Sequence, residues 1–207
     1  MIVNKTITAW NILIVTLVGV LLQFIVMMQH TKLPPVEAVV RFFSYFTILS
    51  NLIVATFFVM QIFKKQQPTH FFLQPATSLS VTVYIMVVGL IYQVILSKLY
   101  SLQGLNLLAN NILHGVTPIA TFIFWLVFES KRKVQYNSIV YFLIYPLIYL
   151  IYTLIRGSIV QFYPYPFVDV IKLGLQQVFI NSTYVMFLFL ILFFSLAGLA
   201  NYRHNRA

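Results

Sequence analysis

Cysteine is absent from this chain of 207 residues, and only 3 residues are acidic. The first absence excludes disulfides, a thiolate nucleophile, iron–sulfur centres and Cys-ligated zinc. Charged residues make up 8% of the chain, against roughly 25% in soluble domains. The 13 basic residues give a net charge of +10, too thinly spread for a nucleic-acid-binding face, so neither nucleic acid nor a metal is expected as a partner. Glycine is scarce too, at 7 residues, and no P-loop or dinucleotide fingerprint occurs, so no cofactor is expected. The three acids, Glu37, Glu129 and Asp169, fall at the edges of apolar runs or between them. Ion-coupled transporters place such groups in mid-membrane, which argues against that class. No lysine lies in the middle of a run, so a retinal Schiff base has no attachment point.

What the chain has instead is hydrocarbon: 61% of its residues are hydrophobic, including 20 Phe and 13 Tyr. Apolar stretches approaching the ~20 residues that cross a bilayer run over 9–29, 42–63, 76–96, 106–128, 137–155 and 177–200. The expectation is one all-α polytopic domain, residues 1–207, a bundle of six transmembrane helices. The first run is too long for a signal-peptide core and is followed by no small-residue cleavage site, so it is retained as a span. Of the 13 Lys and Arg, 8 fall on the side of the termini, with Lys131, Arg132 and Lys133 as the densest group. Both termini are therefore expected to be cytoplasmic.

With that orientation, polar residues inside the spans gather in the outer half of the bilayer. Ser44, Thr47 and Asn51 share one face of the second span. Asn110, His114, Thr117 and Thr121 share a face of the fourth, with Asn111 beside it. Tyr145, Tyr149, Tyr152 and Arg156 form a stripe on the fifth, and Asn181 lies near the start of the sixth. His114 is the one histidine of 4 that lies within a span, about 8 residues or ~12 Å below its start. An intramembrane ionisable group is a functional candidate by default, although it can equally be a donor that ties two helices together. Pro118, four residues on, cannot donate to the His114 carbonyl, so a kink is expected there, and Gly115 is expected to admit a close neighbour. Tyr163-Pro164-Tyr165-Pro166, in the longest connection, is expected to form a stiff, ordered outer cap.

Four segments, Phe42 to Ala55, Leu113-His-Gly-Val-Thr-Pro-Ile119, Tyr145-Pro-Leu-Ile-Tyr149 with Arg156-Gly157, and Tyr163-Pro-Tyr-Pro-Phe-Val-Asp169, together resemble the bacterial Pr-six-Pr integral membrane family. That family is itself distantly similar to the androgen-induced membrane hydrolases, six-helix proteins that cleave fatty-acid esters of hydroxy fatty acids with an intramembrane threonine and histidine. The resemblance implies a protein of the bacterial cytoplasmic membrane with Thr47 and His114 as the matching pair.

The residues and the resemblance meet at that pair. A threonine hydroxyl is a poor nucleophile unless a base takes its proton during attack, and an uncharged imidazole is such a base. An ester carbonyl attacked there develops an oxyanion that donors must meet; Asn51, Asn111 and Arg156 are candidates. Asn110, Tyr152 and Asn181 are further candidates for substrate contacts. The expected activity is an intramembrane lipid esterase, a carboxylic ester hydrolase acting on fatty acyl esters delivered from the bilayer, with an acyltransferase as a variant at the same site. Two rivals use the same polar residues: a non-catalytic protein that binds lipids or small amphiphiles through Arg156, Tyr152 and Asn51, and a structural subunit whose polar faces only join helices.

Overall fold

The computed structural model describes residues 4–63, 70–99 and 101–206. Lys64 and Lys65, which enter the charge count, lie outside them, as do the first three residues of the N-terminal arm. The described residues are mostly helical, with no strand among them. Helix α1, Lys5–His30, starts where the Asn4 side chain accepts from the backbone N–H groups of Thr6 and Ile7, groups that a helix's first turn otherwise leaves without partners. Pro35 opens α2, Pro35–Phe42, and Pro75 opens α4, Pro75–Val94; at the first helical position the missing N–H costs nothing. Between them lies α3, Phe46–Phe63. The fourth span is composite: α5, Gly104–Asn111, a π-turn over Ile112–Val116, α6, Thr117–Phe124, and a second π-turn over Trp125–Glu129. Helices α7, Ile139–Val160, and α8, Val170–His204, complete the chain.

Six of these segments are long and apolar enough to cross a membrane: Lys5–His30, Phe46–Phe63, Pro75–Lys98, Gly104–Glu129, Tyr136–Val160 and Val170–His204. The chain is thus an all-α polytopic bundle and an integral membrane protein. One expected span is corrected. Instead of one helix over 42–63, α2 ends at Phe42 and α3 begins at Phe46. Ser44 and Tyr45 instead make tight backbone bonds, to the carbonyls of Arg41 and Phe42. The Tyr149 hydroxyl donates to the Ser44 carbonyl at 2.9 Å, engaging the acceptor that a continuous helix would offer Ile48. The last helix also begins earlier than expected, because Asp169 caps it by accepting from the N–H groups of Ile171 and Lys172. It is broken near its start at Gly174, whose φ of 76° only glycine adopts without strain.

Helix α4 is central, packed against α3, α6, α7 and α8, while α1 covers α3, α5 and α6. Rings of Phe57, Phe58 and Phe124 interlock edge to face in one cluster, and Tyr84, Phe142 and Phe193 anchor a second. Between lipid-facing helices such contacts act through close packing rather than water exclusion. Helix α4 comes close to the fourth span at Gly89, where a Cβ would lie 3.1 Å from both the His114 carbonyl oxygen and Pro118. Gly115, expected to admit a neighbour, faces open space; the glycine that admits one is on the opposite helix. The start of α1 and the end of α8 share one end of the bundle. Lys5 and Arg132 pair with the buried Glu129 carboxylate, Arg203 donates to the Leu126 carbonyl at 3.0 Å and His204 contacts the Lys131 carbonyl.

Candidate functional site

The site lies at the opposite end, around the first turn of α3. Breaking the second span at 43–45 leaves the N–H groups of Phe46 and Thr47 without the helical partners a longer helix would give them. Two tyrosines from distant segments accept from them: Tyr149 from Phe46 at 3.2 Å and Tyr165 from Thr47 at 3.1 Å. Thr47 is buried. Its Oγ1 is 3.2 Å from His114 Nε2 and 3.2 Å from the Tyr165 hydroxyl.

Partners fix where the protons sit. The Asn110 carbonyl, 3.1 Å from His114 Nδ1, can only accept, so Nδ1 carries the hydrogen and Nε2 presents its lone pair. Thr47 Oγ1 then donates to Nε2, and the Tyr165 hydroxyl, having accepted the Thr47 N–H, donates to Oγ1. The result is a directed chain from Tyr165 through Thr47 and His114 to the backbone of α5. The imidazole is held flat against Tyr92 of α4, ring centroids 4.2 Å apart. His114 occupies the middle of the π-turn. Pro118 supplies no N–H to its carbonyl, and the chain answers with this wider turn, in which the Thr117 N–H reaches back to the Ile112 carbonyl; π-turns of this kind are frequent at functional positions. Chemically, the arrangement is a hydroxyl beside an accepting imidazole, with a phenol donor on the hydroxyl's other side.

Two cavities meet here. One, about 290 Å³, is bounded by α3, α4, α7, α8 and the 161–169 connection, and its walls are nearly all apolar. The other, about 420 Å³, lies between α1, α3, α5 and the same connection and includes Gln23, His30, Thr31, Asn106, Asn110 and His114 in its walls. Thr47, Leu96 and Tyr165 line both.

No family model, curated protein or solved structure matches the chain. Asn51 is fully buried and spends its amide N–H groups on the carbonyls of Thr47, at 2.8 Å, and Leu113, at 3.4 Å. It ties α3 to the residue before His114 and faces neither cavity, so its place is positional and not among oxyanion donors. Asn110 lines the second cavity, with its Nδ2 buried and without a hydrogen-bond partner. Asn111, one residue on, is exposed and turned away. Tyr152 is bound to Ser44 Oγ at 2.8 Å, and Arg156 pairs with Glu37 of α2 at 2.7 Å. Both brace the α2–α3 corner against α7, and neither lines either of these two cavities. Asn181 donates to the Phe167 carbonyl at 2.9 Å, holding the connection before α8.

Tyr165 was not among the expected site residues, nor was Tyr92. A signal for Tyr165 was nevertheless present in the prolines on either side of it, which stiffen the segment, and in Gly157. A Cβ on Gly157 would collide with the ring of Tyr163. The missing side chain is what seats Tyr163 on α7 and so brings Tyr165 over Thr47. Burial pushes the Tyr165 phenol up to about 12, against the opposing effect of its bonds to Thr47, so it keeps its proton.

Proposed function

We propose that the protein is an intramembrane esterase of fatty acyl esters, with Thr47 as nucleophile and His114 as base. The observation that carries this reading is the 3.2 Å contact between Thr47 Oγ1 and His114 Nε2, with Nδ1 bound to a carbonyl so that Nε2 is the acceptor. These are also the two positions implied by the resemblance to the bacterial Pr-six-Pr family, itself distantly similar to the threonine hydrolases. As Oγ1 attacks the ester carbonyl carbon, its proton passes to Nε2. Once Oγ1 is bonded to carbon, the Tyr165 hydroxyl is released to donate to the oxyanion. Collapse breaks the bond to the alcohol oxygen, which takes the proton from Nε2 and departs. Water then attacks the acyl-Thr47 ester, gives a proton to Nε2, and frees the acid as that proton returns to Oγ1. An alcohol in place of water gives acyl transfer.

The test is hydrolysis of a panel of fatty acyl esters by the purified protein in detergent, together with labelling by a fluorophosphonate and mapping of the modified residue. The wild type should turn over, label at Thr47, and lose both properties in Thr47→Ala and His114→Ala. The double variant should be no worse than either single one, because the two act as a unit. A wild type inert across the panel, or a folded Thr47→Ala protein as active as wild type, would leave a lipid-binding role in front.

A further inference from the structure

We infer that the two cavities divide one ester between them: the acyl chain lies in the apolar cavity between α4, α7 and α8, and the departing alcohol lies in the polar cavity between α1 and α5. The inference rests on the esterase reading and adds the direction in which substrate binds and the chemistry of each half.

The direction follows from which residues face which space. Thr47 and Tyr165 border both cavities, so the carbonyl carbon and its oxyanion sit at their junction. His114 borders only the polar one. The proton that His114 takes from Thr47 must be handed to the alcohol oxygen as the C–O bond breaks, and this requires that oxygen to be within hydrogen-bond reach of Nε2. The alcohol therefore leaves on the His114 side, and the acyl chain must extend the other way. The attacking water needs the same base and enters by the same polar route.

The character of the walls then sets the chemistry. Apart from Thr47, Tyr149 and Tyr165, the apolar cavity offers only Ser182 and Thr183 as polar side chains. Thr183 is bonded to the Phe179 carbonyl of its own helix, leaving a surface suited to an alkyl chain. Gln23, Asn106 and Asn110 point the other cavity toward an alcohol that itself carries a polar group. The Asn110 amide contributes a buried, unpartnered donor, which an oxygen on that alcohol would satisfy.

An isomeric pair of esters separates the two directions: methyl octanoate, with its carbons in the acyl part, and heptyl acetate, with them in the alcohol. Ser182→Phe fills the apolar cavity from α8 without breaking a side-chain hydrogen bond; Ser182→Leu is the milder form should the larger ring prevent folding. In the intact protein in detergent, filling should lower kcat/KM for methyl octanoate by about tenfold or more and leave heptyl acetate nearly unchanged. Asn106→Leu should reduce the preference for an acetate ester of a hydroxyl-terminated hexyl alcohol over plain hexyl acetate, with methyl octanoate unaffected. Selective loss of heptyl acetate in Ser182→Phe, equal loss of both isomers in a folded variant, or no change in either, overturns the division while leaving the esterase reading intact. A wild type inactive on every ester removes both together.

Discussion

The Tyr165 hydroxyl makes two contacts with one residue, and together they restrict what its proton can do. It accepts from the Thr47 N–H at 3.1 Å, and Thr47 Oγ1 lies 3.2 Å away, so the O–H has an acceptor in the hydroxyl proposed as nucleophile. In the proposed reaction the phenol would orient Oγ1 before attack and be available to the oxyanion afterwards. Tyr165→Phe removes the donor while keeping the ring and its stacking on Phe167. The expected result is a fall in kcat of about 10²–10³-fold, typical of losing one oxyanion donor, with KM little changed, read by steady-state ester hydrolysis. A titration signature accompanies it. Because the folded-state phenol is raised from 10.0 to about 12, the folded protein binds this proton more tightly than the unfolded chain does. Its contribution to stability is complete below pH 10 and is lost as the pH rises toward 12. Thermal melts of Tyr165→Phe should therefore lose less stability than wild type across that alkaline window. Equal slopes would mean that the phenol is not shielded as the structure has it.

At the scale of elements, the site depends on two local departures from regular helix. The π-turn over Ile112–Val116 turns His114 toward α3, while three residues later Thr117 faces α1, its Oγ1 3.3 Å from that of Thr16. Pro118→Ala supplies the missing N–H and allows an ordinary helix through this region. The variant should be at least as stable as wild type and much less active, because the imidazole would rotate off Thr47; unchanged activity would show that the turn does not need the proline. The second departure is the 161–169 connection. Gly157→Leu would drive the Tyr163 ring off α7 and with it lift Tyr165 from Thr47. The helix should remain, since leucine is a better helix former than glycine, while ester turnover falls at least as far as in Tyr165→Phe. These two devices also mark how far the sequence could be read. The six spans were legible because ~20-residue apolar runs have few alternatives in a membrane, and His114 because an ionisable group is rare there; Thr47 stood out only through the resemblance, since a threonine within a span commonly bonds back to its own helix. The break at 43–45 was not legible. It depends on Tyr149 engaging the Ser44 carbonyl from 105 residues away, and no local propensity encodes such a contact. Comparable sequence separation hid Tyr165, 118 residues from Thr47, and it reassigned Tyr152 and Arg156, whose partners Ser44 and Glu37 lie far back in the chain.

Across the whole molecule, the buried Glu129 carboxylate, bonded to Lys5 and Arg132, fastens the start of α1 to the end of the fourth span. Asn201 of α8 exchanges two hydrogen bonds with the Val134 backbone at the same end. The start of α1, the end of α8 and the Lys131-Arg132-Lys133 group are thereby gathered on one side, and the site with both cavities lies toward the other. Since basic residues are retained on the cytoplasmic face, the expected orientation opens the site outward, where esters in the outer leaflet would reach it. The lack of cysteine makes single-cysteine reporters unambiguous. Ser101, before α5, and Asn205, after α8, are both exposed, whereas Ser130 beside the basic group is buried and bonded to the Leu126 carbonyl and would be blocked in either orientation. Ser101→Cys should react in intact cells with a membrane-impermeant maleimide, and Asn205→Cys only after lysis. The opposite pattern would invert the molecule, placing Thr47 and His114 in the cytoplasmic leaflet and the polar cavity in contact with cytoplasmic amphiphiles.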